Sequence, residues 1–149
     1  MSRTLALPGF LLLTVGGGSL FGQAVEIGGW FEALEKPWFN PPAWLFGPVW
    51  GTLYVLIGFA GYRVWRTGNR PAQILWWAQM ALNFAWSPIF FTAQAPGFAL
   101  VVILALLLTI LGFILRSWSI ERLSAILFLP YLAWVAYATL LNGALWWLN

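Results

Sequence analysis

The residues able to do chemistry in this chain are aromatic and neutral. There are 12 Trp, 12 Phe and 4 Tyr, and there is no His and no Cys. Lacking His, the chain has lost the commonest general base and metal ligand. Lacking Cys, it has no thiolate nucleophile, disulfide or zinc–thiolate site. What remains is a small set of polar positions inside apolar runs. Asn83 and Ser87 stand at i and i+4, with Trp86 and Phe90 beside them on one helix face. A second stripe holds Tyr131, Trp134, Ala138 and Asn142, and a third repeats every four residues as Phe46, Trp50 and Tyr54. Facing one another, the three stripes would wall a cavity suited to a flat apolar ligand, with a few hydrogen-bonding groups to orient it. The same stripes also describe plain interhelical packing, in which Asn and Ser act as glue worth roughly 0.6 kcal/mol each. Spacing alone leaves both readings open.

Composition says what elements must carry these stripes. The chain has 149 residues, enough for one domain spanning 1–149. Apolar residues make up 62% and charged residues 7%, against about 25% charged in a soluble domain, so the chain belongs in a bilayer. A net charge of +3 is too small for nucleic-acid binding. Five segments have the roughly 20-residue length that a hydrocarbon core demands: about Leu5 to Val25, Ala43 to Trp65, Ala72 to Ala93, Gly97 to Leu115, and Leu123 to Leu148. Arg3, the apolar run and Gly22-Gln23-Ala24 imitate a signal peptide; retained, that segment brings the count to five. Short breaks at 67–71, 94–97 and 116–122 make neighbouring helices antiparallel. The expected fold is an all-α integral membrane bundle of five transmembrane helices. Within it, Pro88 cannot donate to the carbonyl of Phe84, which predicts a kink. No charged residue sits in the middle of a span, which argues against an ion-coupled pump.

Arg3, Arg63, Arg66, Arg70, Arg116 and Arg122 fall at one end of such a bundle and Lys36 at the other. For a multi-pass protein of the bacterial cell membrane, the expected location, the positive-inside rule then predicts the N-terminus cytoplasmic and the C-terminus outside. The connection from Glu26 to Pro42 carries Trp30, Phe31, Trp38 and Phe39, stiffened by Pro37, Pro41 and Pro42. It reads as an aromatic lid over the bundle mouth, with an interfacial aromatic belt as the other reading. Gly18/Gly22, Gly47/Gly51 and Ala81/Ala85 have the spacing of close helix contacts. Ala78, Ala81 and Ala85 share one face of the third span, a candidate homodimer seam. Leu56, Tyr62 and Arg66 match a proposed cholesterol motif, a pattern that chance often produces.

The stretch Trp30-Phe31-Glu32-Ala33-Leu34-Glu35-Lys36-Pro37-Trp38-Phe39-Asn40-Pro41-Pro42 resembles the tryptophan-rich TspO/translocator family. Three further stretches agree in order: Phe46-Gly47-Pro48-Val49-Trp50 with Tyr54; Asn83 to Phe91; and Pro130-Tyr131-Leu132-Ala133-Trp134 running into Ala138 to Asn142. The resemblance implies a five-helix bundle, commonly dimeric, whose first loop covers a ligand cavity. It implies porphyrins such as protoporphyrin IX as ligands, alongside cholesterol and isoquinoline or benzodiazepine drugs. Carried over by motif, the ligand-binding set is Phe31, Phe46, Trp50, Tyr54, Asn83, Ser87, Phe90, Trp134, Ala138 and Asn142. If the chain shares the light-dependent porphyrin breakdown credited to some members, Trp50 and Trp134 are its tryptophans; otherwise no residue is catalytic.

The sequence departs from the family pattern at three points. Nothing charged follows Tyr137, so the sterol element of animal members is absent there. Phe31 stands where relatives often have Tyr, and Ser87 where some carry an amide. Haem iron is held by His, Cys, Met or Tyr, and Met80 is the single internal Met. The residues therefore favour a metal-free porphyrin as ligand, its propionates toward Lys36 or water, and no obligatory cofactor or metal. The expected function is a membrane sensor or receptor that binds porphyrin or similar flat hydrophobic molecules among membrane lipid. The alternatives are a transporter of such solutes, a photochemical degrading enzyme, and a structural membrane partner with no saturable ligand.

Overall fold

The computed structural model describes residues 2–24 and 28–149. Val25 and Glu26, assigned above to the end of the first span and the start of the lid connection, lie outside them. Helix α1 covers residues 3–24, with a π-helical stretch Leu12–Gly16 in its middle. A short helix α2 (Gly29–Ala33) follows in the lid. Then come α3 (Ala43–Thr67), α4 (residues 70–92), α5 (Pro96–Ser117) and α6 (Arg122–Leu148).

The helix ends follow from local chemistry. Gly68 closes α3 in the left-handed region at φ 72°, with its N–H on the carbonyl of Trp65, a conformation glycine adopts without penalty. Asn69 caps α4 through a bond from the Ala72 N–H at 3.1 Å, and Pro71 sits in the first turn where its missing N–H costs nothing. Glu121 caps α6 in the same way, accepting from the Ser124 N–H at 3.0 Å. Pro88 does not break α4. The chain widens into a π-helical turn, Pro88–Thr92, closed by the Ala93 N–H on the Pro88 carbonyl, so the expected kink is a change of helical winding.

In cross-section, α1 packs on α3, α3 on the start of α6, α6 on α5, and α5 on α4. Phe21 of α1 stacks on Phe84 of α4 at 4.8 Å, closing the ring. Four of the rods are long and apolar enough to cross a membrane. Helix α4 falls short of that apolarity because Gln73, Gln79, Asn83 and Ser87 lie along it, and Gln79 and Asn83 are buried inside the bundle. On α5 the side chains Val101, Leu104, Leu108, Leu111 and Leu115 all point outward. A water-exposed apolar stripe of that length would be an aggregation liability; in lipid it is an ordinary surface. The molecule is a multi-pass, all-α integral membrane bundle.

The interior has two parts. At the arginine-bearing end, Phe10, Ile57, Val64, Trp76, Phe113 and Phe128 form a filled core, with Phe113 and Phe128 at 4.1 Å and Phe10 edge-on to Trp76 at 5.1 Å. Arg63 and Glu121 lock this end through two bonds of 2.9 and 2.8 Å. Beneath the lid, a smaller cluster around Phe90, Ala99, Leu141 and Leu145 surrounds space instead.

Candidate functional site

That space is a cavity of about 450 Å³ between α1, α3, α4 and α6, roofed by α2. All ten residues expected from the sequence border it: Phe31 from the lid; Phe46, Trp50 and Tyr54 from α3; Asn83, Ser87 and Phe90 from α4; and Trp134, Ala138 and Asn142 from α6. The stripes face one another because antiparallel neighbours bring the lid-side halves of α3, α4 and α6 to the same level. The aromatic walls interlock: Trp50 stacks on Tyr54 at 5.5 Å, Phe46 meets Trp134 edge-on at 6.0 Å, and Trp86 stacks on Phe90 at 5.3 Å.

Its polar groups are mostly used within the protein. The Tyr54 hydroxyl donates to Asn83 Oδ1 at 2.8 Å, and Asn83 Nδ2 donates to the Tyr131 hydroxyl at 2.7 Å. That hydroxyl in turn donates to Gln79 Oε1 at 2.9 Å. Tyr131, which shares the Trp134 stripe, thus lies fully buried below the cavity floor instead of lining it. Asn142 accepts from Trp86 Nε1 at 2.9 Å and donates to the Pro96 carbonyl at 2.8 Å, tying α4 and α5 to α6. One group stands apart. Trp134 Nε1 is buried at the wall without a hydrogen-bond partner, and an unpaired buried donor costs roughly 1–3 kcal/mol. Among the described lining residues there is no Asp, Glu, Lys or Arg.

The lid is fastened by backbone bonds. Lys36 Nζ donates to the carbonyls of Phe31, Glu32 and Leu34 at 2.8, 3.0 and 3.2 Å, and lies 4.9 Å from the Phe31 ring centroid. All three ammonium donors are then committed, which corrects the expectation of Lys36 as a partner for ligand carboxylates. The Asn149 side chain pairs with Glu35, accepting from its N–H at 2.9 Å and donating to its carbonyl at 3.0 Å. The Tyr137 hydroxyl donates to the Phe39 carbonyl. Phe31 meets Phe91 edge-on at 5.4 Å, and Trp30 meets Phe90 at 5.9 Å. Trp38, at 96% exposure, contributes nothing to the cavity lining.

Sequence reasoning missed the wall that α1 supplies, made of Val15, Gly18, Ser19, Phe21, Gly22 and Gln23. Its small residues were visible but lacked an aromatic stripe to mark them. The glycine pair Gly47/Gly51 is also corrected. Among the described residues it makes no close helix contact; both glycines border the cavity, and a Cβ at either would meet no described atom within 4 Å. Close approaches occur at Gly18, against the Tyr54 ring, as its spacing suggested, and at Gly58, against Thr14 and Phe10, and Gly61, against Trp76, which the spacing did not mark.

An all-α multi-pass membrane protein with an aromatic cavity under a loop lid, uncharged among its described lining residues, is the class defined by this geometry. The TspO/MBR family model matches residues 10–148. A tryptophan-rich protein TspO of Archaeoglobus fulgidus is 38% identical over 93% of this chain and 92% of its own length. The human translocator protein is 41% identical over 78% of this chain and 73% of its own. A tryptophan-rich sensory protein of Cereibacter sphaeroides is 33% identical, covering 88% and 84%. The chain belongs to the TspO/MBR family.

Proposed function

We propose that this protein is a membrane receptor whose cavity binds a flat, largely apolar ligand, a metal-free porphyrin such as protoporphyrin IX, in a sensing role. The observation that carries the reading is that the aromatic stripes of α3, α4 and α6 and Phe31 of the lid border one cavity of about 450 Å³ with no charge among its described lining residues, within the usual range for small-molecule sites. An apolar wall disfavours unpaired charge, so the ring system belongs inside and any carboxylates at the margin. Trp134 Nε1 calls for an acceptor on the ligand. Iron ligation fits poorly: Tyr54 has its hydroxyl on Asn83, and Met80 lies in the packed core. By the positive-inside rule the lid end faces away from the cytoplasm. The reading includes a homodimer through the Ala78, Ala81 and Ala85 face of α4, where Ala81 is exposed.

Titrating the detergent-purified protein with protoporphyrin IX in dim light, with tryptophan fluorescence as readout, tests the site. Saturable quenching that weakens in Trp50→Phe and Trp134→Phe but persists in Trp118→Phe is the expected result. Quenching that never saturates, or ignores all three changes, would reduce the ligand to micelle partitioning. Illuminating the same samples separates binding from photochemical turnover, and porphyrin flux in liposomes separates it from transport. Because the chain has no cysteine, Ala81→Cys offers a single thiol; a disulfide-linked dimer on oxidation in membranes is expected, and its absence would remove α4 as the seam.

A further inference from the structure

We infer that the ligand enters sideways from the bilayer, through a window between α1 and α3. The inference rests on the cavity being a ligand site. At the arginine-bearing end the two helices are pressed together. A Cβ on Gly58 would lie 2.5 Å from Thr14 Oγ1 and 3.2 Å from the Phe10 carbonyl oxygen. Thr14 Oγ1, in the π-helical stretch of α1, donates to the Tyr54 carbonyl at 2.8 Å. One turn on, Gly18 abuts the Tyr54 ring. Beyond that point the helices part. On α3, Ala43, Gly47 and Gly51 recur every four residues along the opening, all exposed and all bordering the cavity. Across from them on α1 lie Ser19 and Gly22, also exposed and also bordering it. Cβ atoms placed on Gly22, Gly47 or Gly51 would meet nothing within 4 Å. Among the described residues, none closes the cavity wall here.

The depth and the alternative route both favour the window. Gly47 and Gly51 lie four and eight residues into α3, about 6 and 12 Å along its axis at 1.5 Å per residue, within a hydrocarbon layer of about 30 Å. A flat apolar molecule concentrates in that layer and can slide in without meeting water. Passage through the lid would instead require breaking the Asn149–Glu35 pair, the Tyr137–Phe39 bond and the edge-on contacts of Phe31. Among the described residues, no side-chain hydrogen bond spans the window.

Stopped-flow tryptophan quenching by protoporphyrin IX, with the protein in lipid nanodiscs, separates the two routes. Gly22→Leu and Gly47→Leu place a bulky side chain in the opening from opposite helices, in space the fold leaves free. Both should slow association by about tenfold, equivalent to ~1.4 kcal/mol of added barrier, and dissociation with it, whereas an effect confined to the bound state would leave association at the parent's rate. Asn149→Ala, which unfastens the lid, should leave the rates near the parent's. Parent-like or faster rates in both leucine variants, or a marked acceleration in Asn149→Ala, would overturn the window while leaving the cavity reading standing. Absence of saturable quenching in the parent would overturn the cavity reading and the window together.

Discussion

The two ends of this bundle use the same residue types to opposite ends. Near the arginines, Gly58 and Gly61 sit under Thr14 and the Trp76 indole, so that no Cβ fits. Under the lid, Gly47 and Gly51 face empty space. The tryptophans differ in parallel. Trp76 is fully packed and donates its Nε1–H to the Ile57 carbonyl at 3.0 Å, whereas Trp134 at the cavity wall has no partner for its own. A glycine notch filled by an indole is a joint; the same notch left unfilled is a binding surface. At the cavity wall the unpaired indole N–H is placed where an acceptor on a ligand could meet it.

The contrast breaks most sharply at the two indoles. Trp76→Ala should lose about 3–5 kcal/mol, the usual cost of emptying a packed aromatic site, seen as a large fall in the detergent melting temperature. Trp134→Ala enlarges an existing void and should cost at most about half as much, while abolishing saturable porphyrin quenching. Equal melting temperatures would erase the distinction between the two ends. The glycines sharpen it further. Gly61→Ala forces a methyl to within 2.4 Å of Trp76 and should cost about 1–3 kcal/mol. Gly51→Ala, with open space around it, should be neutral or stabilise by up to about 1 kcal/mol through helix propensity.

A smaller effect is confined to the packed end. The Arg63 guanidinium, with help from Ser124, holds the Glu121 carboxyl down at about 2. A carboxylate depressed on folding stabilises the protein above its ordinary pKa and loses that contribution as pH falls through the folded value. Thermal stability should therefore decline between about pH 4.5 and pH 2 by about 1 kcal/mol from this pair, allowing for solvent screening. Glu121→Gln should be less stable at neutral pH and should lack this part of the acid dependence. An unchanged acid profile in that variant would mean that the pair does not hold α3 to α6.

How much of this was legible beforehand differs between the helices. Phe46, Trp50 and Tyr54, and the α4 and α6 stripes, could be read because large and polar side chains at four-residue spacing mark one helix face. The breaks at Gly68, Asn69, Pro96 and Glu121 were equally local, since capping and left-handed turns depend on a few adjacent residues. Lys36 was not legible in the same way. Its charge suggested a ligand partner, but the side chain turns back onto the carbonyls of Phe31, Glu32 and Leu34 at the end of α2, a helix too short to be marked by period.

The amino-acid sequence by itself determined the bilayer as solvent, the helical rods, their ends and the faces that carry aromatic stripes. These follow from hydropathy, capping chemistry and the 3.6-residue period. The tertiary structure alone decided that α1 completes the cavity, that Tyr131 lies under its floor, and that one glycine pair is filled and another empty. Period tells which residues share a face. Only the tilt and rotation of the neighbouring helix decide whether that face meets an indole, a hydroxyl or open space.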